Sequence, residues 1–208
     1  MWVGHNIKDI TSYSRTENEN EMFHDIKAWL KSYNIQLTEE DKAIIKKHTR
    51  QISIPKNTVI MKQGRPVERL YFLNSGIVRL YRVQDEVDQT IDFVSWKELV
   101  STAVYVFNQR APPCALETLT PVDGFYWERE DLLAIKEQTT CGNKIEEALL
   151  DKLLNWTQDR ESDVMSLTPE ERYIKLLNSQ PNVVREVPLK IIASYLGIHQ
   201  DSLSRIRK

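Results

Sequence analysis

From residue 51 onward the apolar residues stop recurring at helical spacing and begin to alternate with polar ones, in short segments separated by turn residues. Five such segments cover residues 52–54, 58–61, 69–73, 77–83 and 90–94, and a further apolar stretch covers residues 116–127. Asn74, Ser75 and Gly76 form a turn signal between two of the segments. Several short strands in a row are typical of a β-sandwich or barrel. The centre of the chain is therefore predicted to be an all-β domain.

Helical patterns lie on both sides of this region. Residues 1–21 form a polar extension without a period that could bury a face, and no function is assigned to them. Residues 22–33 have apolar side chains at helical spacing, and Thr38 is a suitable N-cap for a second helix because acidic residues follow it. Helical spacing returns at residues 131–135 and continues in residues 142–167, the longest helical candidate.

This long helix is apolar over a wide arc. Ile145, Leu149, Leu153 and Trp156 form one stripe, and Ala148, Leu150 and Leu154 lie beside it. An arc of this width needs two packing partners. We expect the first to be the β domain and the second to be the same helix of another subunit, packed as a two-fold coiled coil. The alternative is that one chain buries both faces.

A domain boundary is predicted at Thr168. Thr168, Pro169 and Glu171 provide an N-cap, a favourable first-turn proline and the partner for a capping box, and the helix they begin is expected to end near Asn178. The whole chain has a net charge of −2, but residues 168–208 contain seven cationic and four anionic residues. The C-terminal segment is therefore the basic part of the protein.

Residues 189–208, LKIIASYLGIHQDSLSRIRK, have the spacing of a helix-turn-helix. Ala193 is placed where two crossing helices touch, and Gly197 is placed at the turn, where a left-handed residue is needed. The second helix would pack on the first through apolar residues, namely Ile192, Leu196, Ile198, Leu203 and Ile206. Its remaining side chains are polar or basic: His199, Gln200, Asp201, Ser202, Ser204, Arg205, Arg207 and Lys208.

Gln and Arg can make bidentate contacts with adenine and guanine, whereas Ser, Lys and a helix N-terminus bind phosphates. This outer face is therefore predicted to bind DNA in the major groove, with His199, Gln200, Asp201, Ser202, Arg205, Arg207 and Lys208 as the contacting residues. The alternative is an ordinary helical hairpin with a solvated outer face.

The order of strands, long helix and helix-turn-helix resembles the Crp/Fnr superfamily of bacterial transcription regulators. The most specific segments are residues 71–81, YFLNSGIVRLY, and residues 187–198, VPLKIIASYLGI. With residues 203–208, LSRIRK, the second segment is particularly similar to the Bacteroidetes branch.

The resemblance implies an α+β fold: a jelly-roll sensor domain of the cyclic-nucleotide-binding type at residues 22–140, a dimerisation helix at 141–167 and a DNA-binding domain at 168–208. It also implies a homodimer formed through residues 145–167, a palindromic DNA operator, contact with RNA polymerase and an unknown small-molecule effector. Base contacts would come from Gln200, Asp201 and Arg205, and phosphate contacts from His199 and Ser202. The chain ends after the recognition helix, so a wing, reduced if it exists, would have to form from residues 182–187.

The sequence departs from the family at the segments with which relatives bind a cyclic nucleotide. The family's Gly-Glu segment corresponds here to residues 96–99, WKEL, which keep Glu98, but the family's phosphate-binding arginine is replaced by Pro113. A phosphate would lose its charge-assisted contacts, about 1.5–3 kcal/mol each, so we expect no cyclic-AMP binding even with Arg110 close in sequence. An effector pocket would involve Glu98, Cys114 and Thr157; the alternative is that these residues only pack a core.

Other classes of function find little support. The four histidines lie outside the predicted β region, and Cys114 and Cys141 are far apart, so neither a metal site nor a nucleophilic triad is expected. We therefore predict no enzymatic activity and no cofactor. The absence of a signal peptide or long apolar segment predicts a cytoplasmic protein. The remaining alternative is a sensor or scaffold that uses the jelly roll for protein or small-molecule contacts and does not bind DNA.

Overall fold

In the described part of the chain, eight strands form two four-stranded antiparallel sheets. The structure is a computed structural model, and it describes residues 24–100 and 102–207. The strands are β1 (Arg50–Ile54), β2 (Val59–Met61), β3 (Arg69–Ser75), β4 (Ile77–Gln84), β5 (Val87–Ser95), β6 (Glu98–Leu99), β7 (Ala115–Thr118) and β8 (Val122–Glu128). One sheet has the order β1-β8-β3-β6 and the other β2-β7-β4-β5. Their inner faces share one apolar core, which confirms the predicted jelly roll.

Each of the five alternating segments lies within one of β1 to β5, apart from residue 58, which precedes β2. The stretch at residues 116–127 divides into β7 and β8. The turn predicted at Gly76 joins β3 to β4. Gly76 has a φ of 93°, and a Cβ atom there would lie 2.4 Å from the carbonyl oxygen of Pro121. No other residue type fits this position, because both the backbone angle and the close approach exclude a side chain.

Helices surround the barrel. They are α1 (residues 24–32), α2 (Glu39–His48), α3 (Ala103–Asn108), α4 (Arg129–Gln138) and α5 (Gly142–Ser166). The predicted N-cap is confirmed: Thr38 and Asp41 form a reciprocal capping box at the start of α2. The expectations for residues 1–21 lie outside the described residues.

The long helix α5 packs on the barrel through only part of its apolar arc. Ala148 and Leu149 are buried, and Ile145 packs against the same core. Leu150 and Leu154 lie on another side and are 41% and 56% exposed. One chain therefore does not bury both faces of α5.

The C-terminal unit contains four helices: α6 (Pro169–Ser179), α7 (Pro181–Glu186), α8 (Leu189–Leu196) and α9 (Gln200–Ile206). The capping box between Thr168 and Glu171 is present as predicted. Residues 182–187, the segment from which a wing would have to form, contain no strand: residues 181–186 form α7, whose start is favoured by Pro181 in the first turn. None of the helices in the described residues is long and apolar enough to cross a membrane.

Candidate nucleic-acid interface

Helices α8 and α9 pack as a helix-turn-helix. Ile192, Leu196 and Leu203 are fully buried between them, and Ala193 is buried where they cross. Gly197 ends α8 with a φ of 68°, and its N–H approaches the carbonyl oxygens of Ala193 and Ser194. Ala193 thus lies at the contact between the helices, Gly197 at the turn and the three apolar residues in the core, as the sequence spacing predicts.

The outer face of α9 is exposed to solvent. Gln200, Asp201, Arg205 and Arg207 are exposed, and Ser202 is partly buried. The side chain of His199 is 78% exposed. Lys208 lies outside the described residues. The predicted contacting residues that the structure describes thus lie on or next to one short helix and are exposed or partly exposed.

The N-terminus of α9 has a local arrangement of its own. The Nδ1 atom of His199 accepts a hydrogen bond from the backbone N–H of Asp201 at 3.4 Å, so His199 is the N-cap. The same nitrogen lies 3.3 Å from the Asp201 carboxylate. Arg205 and Arg207 have no ion-pair partner among the described residues. They are therefore free to meet an external anion such as a phosphate.

The three residues predicted for an effector pocket have different surroundings. Glu98 accepts a hydrogen bond from the Lys152 side chain of α5 at 2.5 Å. Cys114 is buried, and this burial raises the pKa of its thiol to about 11. Thr157 is exposed and donates to the carbonyl oxygen of Leu153 on its own helix. Within the described part of the chain no hydrogen bond joins any two of the three.

Two residues of the segment that the resemblance assigns to phosphate binding lie at the surface. Pro113 and Arg110 are both exposed. Asp92 on β5 lies opposite Leu80, whose side chain packs on the barrel core, so the carboxyl is on the inner side of the sheet. Burial raises the pKa of Asp92 to about 6, although Phe93 N–H, the Trp156 indole and nearby cations favour its charged form. An anionic ligand beside this carboxyl would be repelled.

Sequence reasoning did not find the contacts that join the C-terminal unit to the barrel. The guanidinium of Arg160 on α5 donates to the carbonyl oxygen of Tyr195 at 2.9 Å and lies 4.2 Å from the centre of its ring. The Tyr195 ring in turn packs on Phe93 of β5, with ring centroids 5.1 Å apart. Burial is the main cause that raises the pKa of Tyr195. These residues lie far apart in sequence, so no local pattern predicts the contacts.

A β barrel, a long helix and an exposed helix-turn-helix follow one another along the chain. The protein has the fold of the Crp/Fnr transcription regulators, as its resemblance predicted. Residues 51–139 match the cyclic nucleotide-binding domain family. The similarity to the Bacteroidetes branch stays a prediction.

Solved structures agree with this assignment. FixK2 from Bradyrhizobium japonicum superposes with a TM-score of 0.66 at 18% identity, covering 76% of this chain and 82% of that one. A putative Crp/Fnr-family regulator from Eubacterium rectale gives a TM-score of 0.63 at 16% identity, with 82% of each chain covered. The Thermus thermophilus catabolite activator protein gives 0.54 at 20% identity, with 84% of each covered. No curated protein is similar enough in sequence to match.

Proposed function

We propose that this protein is a cytoplasmic, sequence-specific DNA-binding transcription regulator with a sensor domain at residues 22–140 and a DNA-binding domain at 168–208. The observation that carries the proposal is the exposed outer face of α9, with Gln200 and Arg205 free to contact base edges. The solved structures with this fold include regulators of the Crp/Fnr family, which supports the same function.

Salt-dependent DNA binding tests this function. Binding of the intact protein to fluorescent genomic fragments is measured between about 50 and 300 mM salt. The affinity is expected to fall steeply as salt is added, because each phosphate contact releases counterions. Each contact should contribute about 0.9 to the slope of log affinity against log salt concentration. Arg205→Ala with Arg207→Ala should weaken binding and flatten the slope by about one contact, because Arg205 is assigned to a base edge, which leaves only Arg207 to contact a phosphate. Lys62→Ala with Arg65→Ala, which removes two exposed cations from the barrel, is the control and should bind normally. No binding by the intact protein at low salt would favour the scaffold alternative.

The active form is proposed to be a homodimer formed through residues 145–167. Leu150 and Leu154 are exposed on α5, and Thr157, Glu161 and Val164 continue the same stripe at alternating spacings of three and four residues. This spacing is that of a coiled-coil seam. Two recognition helices related by a two-fold axis would then meet a palindromic operator.

Sedimentation tests the dimer. Leu150→Lys with Leu154→Lys is expected to give a monomer at concentrations where the intact protein is a dimer, because charges cannot be buried at a seam without partners. Val87→Lys, at a valine that is 64% exposed on the β4–β5 hairpin, is the matched control and should leave the dimer intact. A Leu150 and Leu154 variant that stays dimeric would place the interface elsewhere.

The sensor domain is proposed not to bind cyclic AMP. Pro113 replaces the phosphate-binding arginine, and the Asp92 carboxyl occupies the inner side of β5. Titration calorimetry with cyclic AMP should give no binding heat. A micromolar dissociation constant would show that Arg110 or another group supplies the missing contact.

A further inference from the structure

Strand β5 is an edge strand whose free side is covered by the C-terminal unit. In the order β2-β7-β4-β5, only one side of β5 pairs with β4, which leaves backbone N–H and C=O groups on the other side without strand partners. Helices α7 and α8 pack against this strand. The contact joins the sensor barrel directly to the helix-turn-helix, in addition to the chain connection through α5.

Two polar side chains of the C-terminal unit bind the free side of β5. The Ser194 hydroxyl accepts a hydrogen bond from Thr90 N–H at 2.9 Å and donates to the carbonyl oxygen of Asp88 at 3.3 Å. The Gln180 amide donates to the carbonyl oxygen of Phe93 at 3.2 Å and accepts from the Ser95 hydroxyl at 3.0 Å. Each side chain therefore makes one donor and one acceptor contact with the strand.

The two contacts act at separated points. Ser194 lies on α8, the first helix of the helix-turn-helix, and Gln180 lies between α6 and α7. Together with the connection through α5, these two points of attachment fix both the position and the orientation of the unit on the barrel. Without them, the unit would be held to α5 by residues 167–168, by the Lys175–Asp163 ion pair and by Arg160. Its remaining contact with the barrel would be the apolar cluster that it shares with Ile77, Phe93 and Leu119.

This attachment does not hide the recognition helix. Ser194 and Gln180 face β5, whereas Gln200, Arg205 and Arg207 on α9 are exposed. The attached arrangement therefore leaves the DNA-contacting face available and limits only its orientation.

We propose that Gln180 and Ser194 are positioning residues for DNA recognition, which hold the helix-turn-helix on the edge of β5 and so set the relative orientation of the two recognition helices in the dimer. The inference rests on the proposed DNA-binding function and on the proposed homodimer. In a bivalent complex, a rigid orientation raises the effective concentration of the second unit at its half-site once the first is bound. Binding to a single half-site does not need this orientation.

The test compares two duplexes. The first is a duplex of about 40 base pairs with two half-sites, selected from a random pool with the intact full-length protein, and the second is the same duplex with one half-site scrambled. Gln180→Ala with Ser194→Ala is expected to lose about tenfold in affinity for the first duplex and to stay within about twofold for the second.

Matched controls remove similar groups that do not join the C-terminal unit to β5. Gln63→Ala deletes a glutamine whose side chain, like those of Gln180 and Ser194, makes two hydrogen bonds. Both go to the backbone of Val83, so they lie within the barrel. Ser179→Ala deletes a serine hydroxyl that bonds only to Lys175 in its own helix. Both controls should bind the two duplexes as the intact protein does.

A second readout follows the attachment without DNA. Amide hydrogen exchange of the β5 peptide containing Thr90 should accelerate in the double variant, because Thr90 N–H loses its acceptor, and stay unchanged in the controls. Three results would each overturn the positioning role. The exchange of the β5 peptide could be unchanged in the double variant, or the double variant could bind the two-site duplex as tightly as the intact protein does. The third is an equal loss of affinity for both duplexes. Failure of the intact protein to bind any duplex would instead overturn DNA binding itself and the positioning role with it.

Discussion

Replacement of Asp92 by asparagine should stabilise the protein at neutral pH. Burial is the main cause that raises the pKa of this carboxyl from its ordinary 3.8 to about 6, and the Trp156 indole and the Arg160 and Lys152 cations offset only part of it. The folded protein therefore binds a proton on Asp92 more tightly than the unfolded chain does. Stability is expected to fall as the pH rises from 3.8 to about 6, and above this range the ionised carboxylate destabilises the fold fully.

The size of this effect follows from the two pKa values. A difference of this size corresponds to about 3 kcal/mol at pH 8. The asparagine side chain would have the same shape as the aspartate and keep an oxygen to accept the Trp156 hydrogen bond, so Asp92→Asn should gain up to this amount. At pH 5, about one unit below the folded pKa, the stability difference between the two proteins should be smaller than at pH 8 by about 1 kcal/mol.

Urea unfolding of the full-length proteins at pH 5, 6, 7 and 8 measures this gap. Protomer concentration is kept equal throughout, because the stability of a dimer depends on it. Asp123→Asn removes an exposed carboxylate from β8 and is the control for the loss of one negative charge. An Asp92 variant that is less stable at pH 8, or a gap that does not change between pH 5 and 8, would refute the reasoning.

Three further outcomes are expected. Gly197→Ala should lower the free energy of unfolding by about 1–2 kcal/mol, because the φ of 68° strains any residue with a Cβ even though the space around it is open; a melting curve checks this, and an unchanged melt would contradict it. Leu203→Ala, at a fully buried position, should cost about 2–5 kcal/mol and remove DNA binding at temperatures where the barrel remains folded, a result that circular dichroism and fluorescence anisotropy together can show. Cys114 and Cys141 are both buried with raised pKa values, so a thiol reagent should react with them slowly in the native protein and rapidly in urea; fast native labelling would mean that the barrel opens readily.

Most of the fold was predictable because its signals are local. Strands β1 to β5 are short apolar segments bounded by turn residues, which a local pattern can show even where burial does not alternate, as in β3. Thr38 and Thr168 begin helices through capping boxes that span only four residues. Strand β6 has two residues and α3 has six, which is too short for a period to appear. Sequence reasoning missed α7 because Pro181 follows the expected end of α6 and resembles a helix stop, although proline is equally suited to the first turn of a new helix.

The candidate site was predictable in part for the same reason. The spacing of Ala193, Gly197 and Leu203 defines the helix-turn-helix within a dozen residues, and the exposed face of α9 follows from it. The contacts of Ser194 with Thr90 and of Gln180 with Ser95 join residues 104 and 85 positions apart. Such pairs leave no trace in local periodicity, because what places them together is the packing of one complete unit on another.

The covered edge of β5 limits how this protein can be divided. A fragment cut after residue 167 would keep the barrel but lose Gln180, Ser194 and the apolar surface around Tyr195, so that the outermost strand would offer its free backbone groups to other copies. Such a fragment should aggregate by edge-to-edge pairing. A chimera that replaces the DNA-binding segment with that of another regulator would need side chains equivalent to Gln180 and Ser194 in the new segment.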